Sequence, residues 1–209
     1  MPRSFAIGDI HGCRNTLYRL LFDVLHTEPG DTLYFLGDYI DRGPDSEGVI
    51  DLIHSLQQQG CHTVTLRGNH EQLMMDSGQS EEHFALWIRN GGNTTLESFG
   101  VSSYADMPER YKTFFTSTWL YAETETHILV HAGLNFTEDD IFSDARAMLW
   151  IRQFEVDTIK TGGRILVHGH TPKPLDHILS QKNTPAVNLD AGCVYKEIPG
   201  FGALVALKL

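Results

Sequence analysis

One seven-residue stretch constrains this chain more than any other part of it. Residues 37–43 read GDYIDRG, and they follow an apolar run at 32–36 that predicts a buried strand. A turn ordinarily uses one Asp, as a cap or in an Asx-turn, whereas this stretch carries Asp38, Asp41 and Arg42. The additional charge indicates either an ion pair that braces a loop or part of a functional site at the carboxyl end of a strand.

The same order of apolar strand, glycine and potential ligand occurs on both sides of this stretch. An apolar run precedes GDIHG, which carries Asp9 and His11, and an alternating run precedes RGNHE, which carries Asn69 and His70. Parallel strands of an open sheet bring their carboxyl-end loops to one edge. We therefore expect the three clusters to lie close together, although they are spread over the first third of the chain.

Helices are predicted between these strands. The spacing of apolar residues indicates helices at about 15–26 and 46–59, with Asn15 as a suitable N-cap for the first. Asp9 as a cap of that first helix is the structural alternative to a ligand role. The alternation of strands and helices predicts an α/β fold.

The second half of the chain repeats the pattern. A strand at 126–130 ends in His131, and a strand at 164–167 precedes HGHTP, which carries His168 and His170. No internal repeat or linker is present, so we expect one domain over residues 1–209. The other expected elements are a helical cover at about 71–120 that includes a helix at 108–116, a helix at about 143–157 with Arg152 near its middle, and closing strands at 185–192 and 201–207.

Composition excludes several classes of protein. The formal charge of −11 disfavours nucleic acid as a partner, because phosphate backbones need a basic face. No apolar run approaches membrane-spanning length and no signal-peptide pattern is present, so no membrane association and a cytoplasmic location are expected. The three cysteines, Cys13, Cys61 and Cys193, are widely scattered, which argues against a disulfide framework and a cysteine-based zinc site.

The five strand ends together carry the ligand types of a divalent metal centre. Carboxylate, imidazole and amide oxygen suit manganese, iron or zinc better than calcium or magnesium. Two such ions that share a water or hydroxide make a nucleophile at neutral pH and hold the oxygens of an in-line displacement. One carboxylate must bridge the two ions, and Asp38, at the centre of the set, is the natural candidate.

Three motifs carry a family resemblance. GDIHG at 8–12, GDYIDRG at 37–43 and RGNHE at 67–71 resemble the signature motifs of the phosphoprotein phosphatase family, within the calcineurin-like metallophosphoesterases. The resemblance implies a two-sheet β-sandwich flanked by helices. It also implies a ligand set: Asp9 and His11 for the first metal, Asp38 as the bridge, and Asn69, His131 and a late His for the second.

The late ligand has two candidates. The pattern of the family is a strand, then glycine, then His, which points to His170 and leaves His168 as a neighbour at the strand end, where it could support a ligand. The resemblance also implies a second phosphate-binding Arg in the second half of the chain. Arg152 is our candidate, and Arg146 and Arg164 are the alternatives.

The remaining motif residues have roles that also make chemical sense alone. A protonated His70 can act as general acid toward the leaving group. Asp41 can hold the His70 ring and stabilise its charged form. The planar guanidinium of Arg42 suits phosphate oxygens.

Departures from the family pattern leave the substrate open. The chain has HAG at 131–133 where the eukaryotic catalytic domains have HGG, and DAGCVY at 190–195 near the place of their SAPNY loop. It resembles the compact bacterial branch, which includes Ser/Thr and dual-specificity protein phosphatases and dinucleoside-tetraphosphate hydrolases. We expect a monomeric phosphoprotein phosphatase with two Mn²⁺ ions, or iron or zinc, that hydrolyses phosphoserine, phosphothreonine and phosphotyrosine monoesters by direct attack of the bridging water or hydroxide.

Two alternatives differ from this expectation. The first keeps the chemistry and takes a nucleotide polyphosphate such as diadenosine tetraphosphate; it would need an aromatic clamp for the base, for which the sequence offers Trp87, Tyr39 and Tyr195. The second is a catalytically silent phosphate- or metal-binding module. Such a module should lack a ligand or the acid, and none is missing.

Overall fold

Two four-stranded sheets form the centre of the protein. The computed structural model describes residues 2–181 and 183–209. The first sheet has the order β3-β2-β1-β8 and the second the order β4-β5-β6-β7. The strands are β1 Ser4–Ile7, β2 Thr32–Phe35, β3 His62–Thr65, β4 Tyr121–Glu123, β5 His127–Val130, β6 Ile165–His168, β7 Ala186–Asn188 and β8 Ala206–Lys208.

Helices cover the outer faces of both sheets. The α-helices are α1 Arg14–Arg19, α2 Ser46–Gln58, α3 Asn69–Asp76, α4 Glu81–Trp87, α5 Asn93–Phe99, α6 Glu109–Thr116, α7 Ala145–Trp150 and α8 Leu175–Ser180. A π-helical segment, Leu20–Val24, extends α1, another, Ile88–Gly92, joins α4 to α5, and Tyr104–Asp106 forms a 3₁₀ turn. No helix in the described part of the chain has the length and apolar character needed to span a membrane.

Alternation along the strands explains the layers. Phe5 and Ile7 of β1 pack outward against the helices of the first half, whereas Ala6 points to the other face. Ala6 shares a buried cluster with Leu129 of β5 and Val167 of β6, so the two sheets pack face to face. The predicted fold class, an α/β two-sheet sandwich flanked by helices, is therefore confirmed.

The strand register places the ligand-bearing loops at one edge. Ile7, Phe35 and Thr65 lie side by side on the parallel strands β1, β2 and β3, so the three loops that follow begin at the same level. The strands β5, β6 and β7 are also parallel. Two short edge strands, β4 and β8, run antiparallel to their neighbours.

Predicted boundaries in the first and last parts of the chain differ from the structure, and two elements were not predicted. The first helix begins at Arg14 after Cys13, because the N–H groups of Thr16 and Leu17 bond to the Cys13 carbonyl, so Asn15 is not its N-cap. The last strand starts only at Ala206 rather than at 201. The strand β4 and the helix α8 were not predicted.

The predicted helix at 143–157 is much shorter than expected. It spans Ala145–Trp150, and Ile151 already has an extended backbone. The apolar residues that suggested a longer helix pack elsewhere, since the Phe154 ring and Ile151 lie against Gly133. Arg152 is therefore in an irregular segment beyond the helix, and its predicted position near the middle of a helix was wrong.

Candidate metal centre

The loops after the strands have a backbone that is unusual for residues with side chains. His11, Asp38, Asp41, Arg42 and His170 all have positive φ angles, between 47° and 69°. Such conformations cost free energy and cluster at functional sites. The strand-end loops therefore hold their side chains in positions that the local sequence alone would not favour.

Two glycines allow the carboxylates of the centre to approach the backbone. A Cβ added to Gly68 would collide with Asp38 Oδ1, and one added to Gly169 would collide with Asp9 Oδ1. These glycines belong to the strand-end pattern seen in the sequence. Their lack of a side chain makes room for the two carboxylates.

A first cluster consists of His11, Asp38 and His70, whose candidate ligand atoms lie within 4.8 Å of one another. His11 Nδ1 is 2.9 Å from the Ile40 carbonyl. Because a carbonyl can only accept, Nδ1 donates and Nε2 keeps its lone pair, 3.5 Å from Asp38 Oδ2. That lone pair also accepts a hydrogen bond from Arg42 Nη1 at 2.7 Å.

A second cluster contains Asp38, His131 and His170, with Asn69 among them. His131 Nδ1 donates to the Leu36 carbonyl at 3.0 Å, which leaves Nε2 as an acceptor. Nε2 lies 3.0 Å from Asn69 Oδ1, 3.2 Å from His170 Nδ1 and 3.6 Å from Asp38 Oδ1. Several lone pairs thus converge on one point, as a divalent cation requires.

Asp9 lies beside the clusters with an unsatisfied oxygen. Its Oδ2 accepts a hydrogen bond from the His170 N–H at 3.0 Å. Its Oδ1 is buried and has no hydrogen-bond partner among the described residues. An orphaned buried acceptor costs free energy, and a cation bound beside it would satisfy it.

The carboxylates of the centre repel one another. Burial and the neighbouring Asp190 and Asp38 carboxylates raise the pKa of Asp9 well above its usual range. Burial and Asp38 raise the pKa of Glu71 to about 8, and burial raises that of Asp190 to about 7, with Asp38 adding to it. Burial also lowers the pKa of His170 to about 3, so its imidazole is neutral at pH 7. Neutral imidazoles with crowded carboxylates fit divalent cations.

His70 and Asp41 form a buried pair at the edge of the first cluster. His70 Nδ1 is 2.7 Å from Asp41 Oδ2. Asp41 also accepts hydrogen bonds from Trp87 Nε1 at 3.1 Å and Thr95 Oγ1 at 2.6 Å. Burial lowers the pKa of His70, but the Asp38 and Asp41 carboxylates outweigh it and the net shift is upward. An imidazole in this setting can hold and deliver a proton.

One buried carboxylate that the sequence analysis did not single out organises the loops. Glu71 Oε2 accepts from the N–H groups of Asp38 and Gly68 at 2.8 and 2.9 Å, and Oε1 accepts from the Tyr39 N–H at 2.9 Å. It thereby ties the loop after β2 to the start of α3. The sequence feature that could have identified Glu71 is its position in the RGNHE motif at 67–71.

The arginines occupy different places. Arg42 is half-buried and points into the first cluster. Arg152 is exposed, and its Nη1 lies 3.4 Å from Oγ1 of Thr171, the residue after His170. Arg164 instead forms an ion pair with Glu123, and Arg146 is exposed on α7.

The structure also distinguishes the two late histidines and the three candidate clamp residues. His170 lies among the second cluster, whereas the His168 ring packs against Phe154 with ring centroids 5.2 Å apart. The aromatic clamp was wrong for two of its three members, because Trp87 and Tyr39 are fully buried. Tyr195 is half-buried. The structure thus assembles the predicted ligands, and their individual roles stay predictions.

Comparison with known proteins gives a family match over most of the chain. Residues 2–198 match the family model described as calcineurin-like phosphoesterase. A solved structure of a cold-active protein-tyrosine phosphatase from a psychrophilic Shewanella species has a TM-score of 0.72, at 17% identity, over 99% of this chain and 75% of that one. At this identity the similarity concerns the fold.

Two curated relatives differ in how much of the chain they match. Serine/threonine-protein phosphatase 1 of Salmonella typhimurium is 38% identical over 89 residues, which is 43% of this chain and 38% of that protein. The matched part thus spans about two fifths of each. The asymmetrical bis(5'-nucleosyl)-tetraphosphatase PrpE of a Geobacillus species is 27% identical over 97% of this chain and 88% of its own length.

Proposed function

This chain belongs to the calcineurin-like phosphoesterase family, whose members hydrolyse phosphoesters, and we propose that its substrates are dinucleoside tetraphosphates. The observation that carries the chemistry is the pair of buried clusters that share Asp38. Each cluster combines carboxylate and imidazole donors, and Asn69 adds an amide oxygen to the second. This donor set supports a dinuclear centre, for which we propose Mn²⁺, with iron or zinc as alternatives.

The proposed ligands are those expected from the sequence. Asp9 and His11 would hold the first ion, Asn69, His131 and His170 would hold the second, and Asp38 would serve both. When bound there, the divalent pair supplies Lewis-acid polarisation of the phosphoryl group and an activated water.

The residues of the chain supply the remaining steps. His70 protonates the leaving oxygen, and Asp41 fixes its ring through the 2.7 Å hydrogen bond and stabilises its charged form. The Arg42 and Arg152 guanidinium groups bind the phosphate oxygens from the buried and the exposed side of the centre. Glu71 keeps the Asp38 loop in register with α3.

Coverage of the chain favours one of the two substrate classes. The motifs in the sequence favour phosphoproteins as the first candidate substrates. The relative named as a tetraphosphatase aligns with 97% of the chain, whereas the relative named as a protein phosphatase aligns with 43%. Substrate choice depends on the surroundings of the metal centre as well as on its motifs, so the longer alignment favours dinucleotides. The 38% identity to the protein phosphatase keeps phosphoproteins as the second candidate.

The test is steady-state hydrolysis by metal-stripped protein reconstituted with Mn²⁺. Diadenosine tetraphosphate would be compared with phosphoserine, phosphothreonine and phosphotyrosine peptides, with nucleotides and phosphate both quantified. We expect ATP with AMP, or two ADP, at a kcat/KM well above that for any peptide. Phosphate release from peptides with the dinucleotide untouched would replace the proposed substrate by the second candidate.

A further inference from the structure

One exposed indole lies at the rim of the metal centre and has no part in the steps described so far. Trp150 is the last residue of α7 and is 37% exposed. Its ring centroid is 6.2 Å from that of His170, with the two planes at 86°. A large aromatic side chain this close to a candidate metal ligand, and open to solvent, is available to a substrate.

A cavity adjoins this indole. Its volume is about 330 Å³, at the lower end of the range of small-molecule pockets, roughly 300–1,000 Å³. Its lining is formed by Asn135, Asp144, Arg146, Ala147, Trp150 and Ile151. Trp150 thus contacts the metal centre through His170 and also lines this cavity.

The charge around Trp150 suits a nucleotide. Arg146 lines the cavity, and Arg152 follows two residues after Trp150 with its guanidinium near Thr171. The Asp144 carboxylate also lines the cavity, so two cationic groups and one anionic group lie on the segment that carries Trp150. A nucleotide presents the matching order of groups, with anionic phosphates joined through a ribose to a flat base.

We propose that Trp150 forms a nucleobase subsite, in which its indole stacks on the base of a nucleotide whose phosphates lie at the metal centre. The subsite rests on the proposed function and adds the group that distinguishes a nucleotide from a phosphorylated amino acid. Stacking tolerates different bases, because every base has a π-face. It also replaces the aromatic clamp sought in the sequence, since Trp87 and Tyr39 are buried.

The competing explanation is structural. Trp150 packs edge to face with His170, so it could position that ring or the Arg152 segment without touching a base. A positioning role would affect every phosphate compound to a similar extent. A stacking role affects only compounds that carry a base.

The experiment measures binding by calorimetry with Mn²⁺-loaded protein. AMP is compared with ribose 5-phosphate, which carries the same sugar and phosphate without the base. The variants are Trp150→Ala and Trp150→Phe, with Trp119→Ala as the matched control, because Trp119 is 68% exposed beside β3 and lines a different cavity.

We expect Trp150→Ala to weaken AMP binding by about 10-fold or more, the size of the loss of one base–aromatic stack. Trp150→Phe should keep most of the affinity because it retains a ring. Ribose 5-phosphate should bind all proteins alike, and Trp119→Ala should match wild type for both compounds. Thermal unfolding of each variant checks that it is folded.

The outcomes separate the subsite from the proposed substrate. Equal AMP affinity in Trp150→Ala and wild type, no measurable AMP binding by wild type, or an equal loss for both compounds would each overturn the subsite. A loss confined to AMP supports it. That loss together with no hydrolysis of diadenosine tetraphosphate would keep the subsite and refute the proposed substrate alone.

Discussion

The amino and carboxyl ends of strands β1 and β2 differ in whether their buried polar groups have hydrogen-bond partners. At the amino end, Arg3 donates to Asp31 through Nε at 3.1 Å and Nη2 at 2.5 Å. The same guanidinium donates to the carbonyls of Leu25 and His26. At the carboxyl end, Asp9 Oδ1 has no hydrogen-bond partner in the described part of the chain. Residues that adopt positive φ also gather there.

This contrast separates stability from chemistry within one sheet. At the amino end the polar groups are paired with one another and are partly open to water. The Arg3–Asp31 pair therefore contributes to the stability of the fold. The carboxyl end holds several buried carboxylates and imidazoles in strained loops, an arrangement that a metal centre needs and a stable core does not. Substitutions at the two ends should therefore affect different measurements.

The strongest test of the contrast removes the shared carboxylate. Asp38→Ala is expected to lower turnover by about 10⁴-fold, since the divalent pair supplies several kcal/mol of transition-state stabilisation. Elemental analysis should find neither metal, because Asp38 belongs to both clusters. Two metals in the folded variant would refute the bridging role.

Substitution of the proposed proton donor, His70, should cause the next largest loss of turnover. His70→Asn is expected to keep both metals and to lose about 10³-fold in kcat on alkyl phosphates, which have a poor leaving group. An aryl phosphate whose leaving group needs no proton should be much less affected. Equal losses on the two substrates would assign His70 to metal binding, which its place in the first cluster also allows.

Glu71 holds the backbone of the loop that carries Asp38, so its substitution should reduce metal affinity by an intermediate amount. Glu71→Gln replaces one acceptor oxygen by an N–H₂ group that faces backbone donors, so the Asp38 loop loses hydrogen bonds. We expect metal affinity to fall by about 10–100-fold, measured by competition with a chelator. The matched control is Glu81→Gln on the exposed first turn of α4, which should bind metal like wild type.

The smallest effect on activity belongs to the amino end. The Arg3 guanidinium lowers the pKa of Asp31 to about 2. A depressed carboxyl pKa contributes stability above the unfolded-state value, and that contribution is lost as pH falls toward the folded-state value. Asp31→Asn should therefore lower Tm by about 3 °C at pH 7.

The difference in Tm between Asp31→Asn and wild type should shrink as pH falls from about 4 toward 2. Turnover at 25 °C should be unchanged. A loss of activity at unchanged Tm would contradict the separation of the two ends.

The sequence predicted the parts of the site that are local. Alternating strands that end in glycine placed Asp9, Asp38 and Asn69 at one sheet edge, because each signal lies within a few residues. The helical spacing at 143–157 failed for Arg152, since the same apolar residues serve equally well to pack against Gly133.

Contacts between distant residues left no such signal. Arg3 and Asp31 are 28 positions apart, and the Trp150 indole meets His170 from a different element. Trp87, a clamp candidate from the sequence, is fully buried. Its hydrogen bond to Asp41 depends on tertiary packing, which sequence spacing does not encode.

The hydrogen bond from the His170 N–H to Asp9 joins residues 161 positions apart. Asp9 leaves the ribosome early, and the residues that surround it in the folded protein are translated long afterwards. At about 5–20 residues per second, the delay is roughly 10–30 s. Throughout that time the nascent chain lacks part of the candidate centre, which is complete only after His170 has been translated.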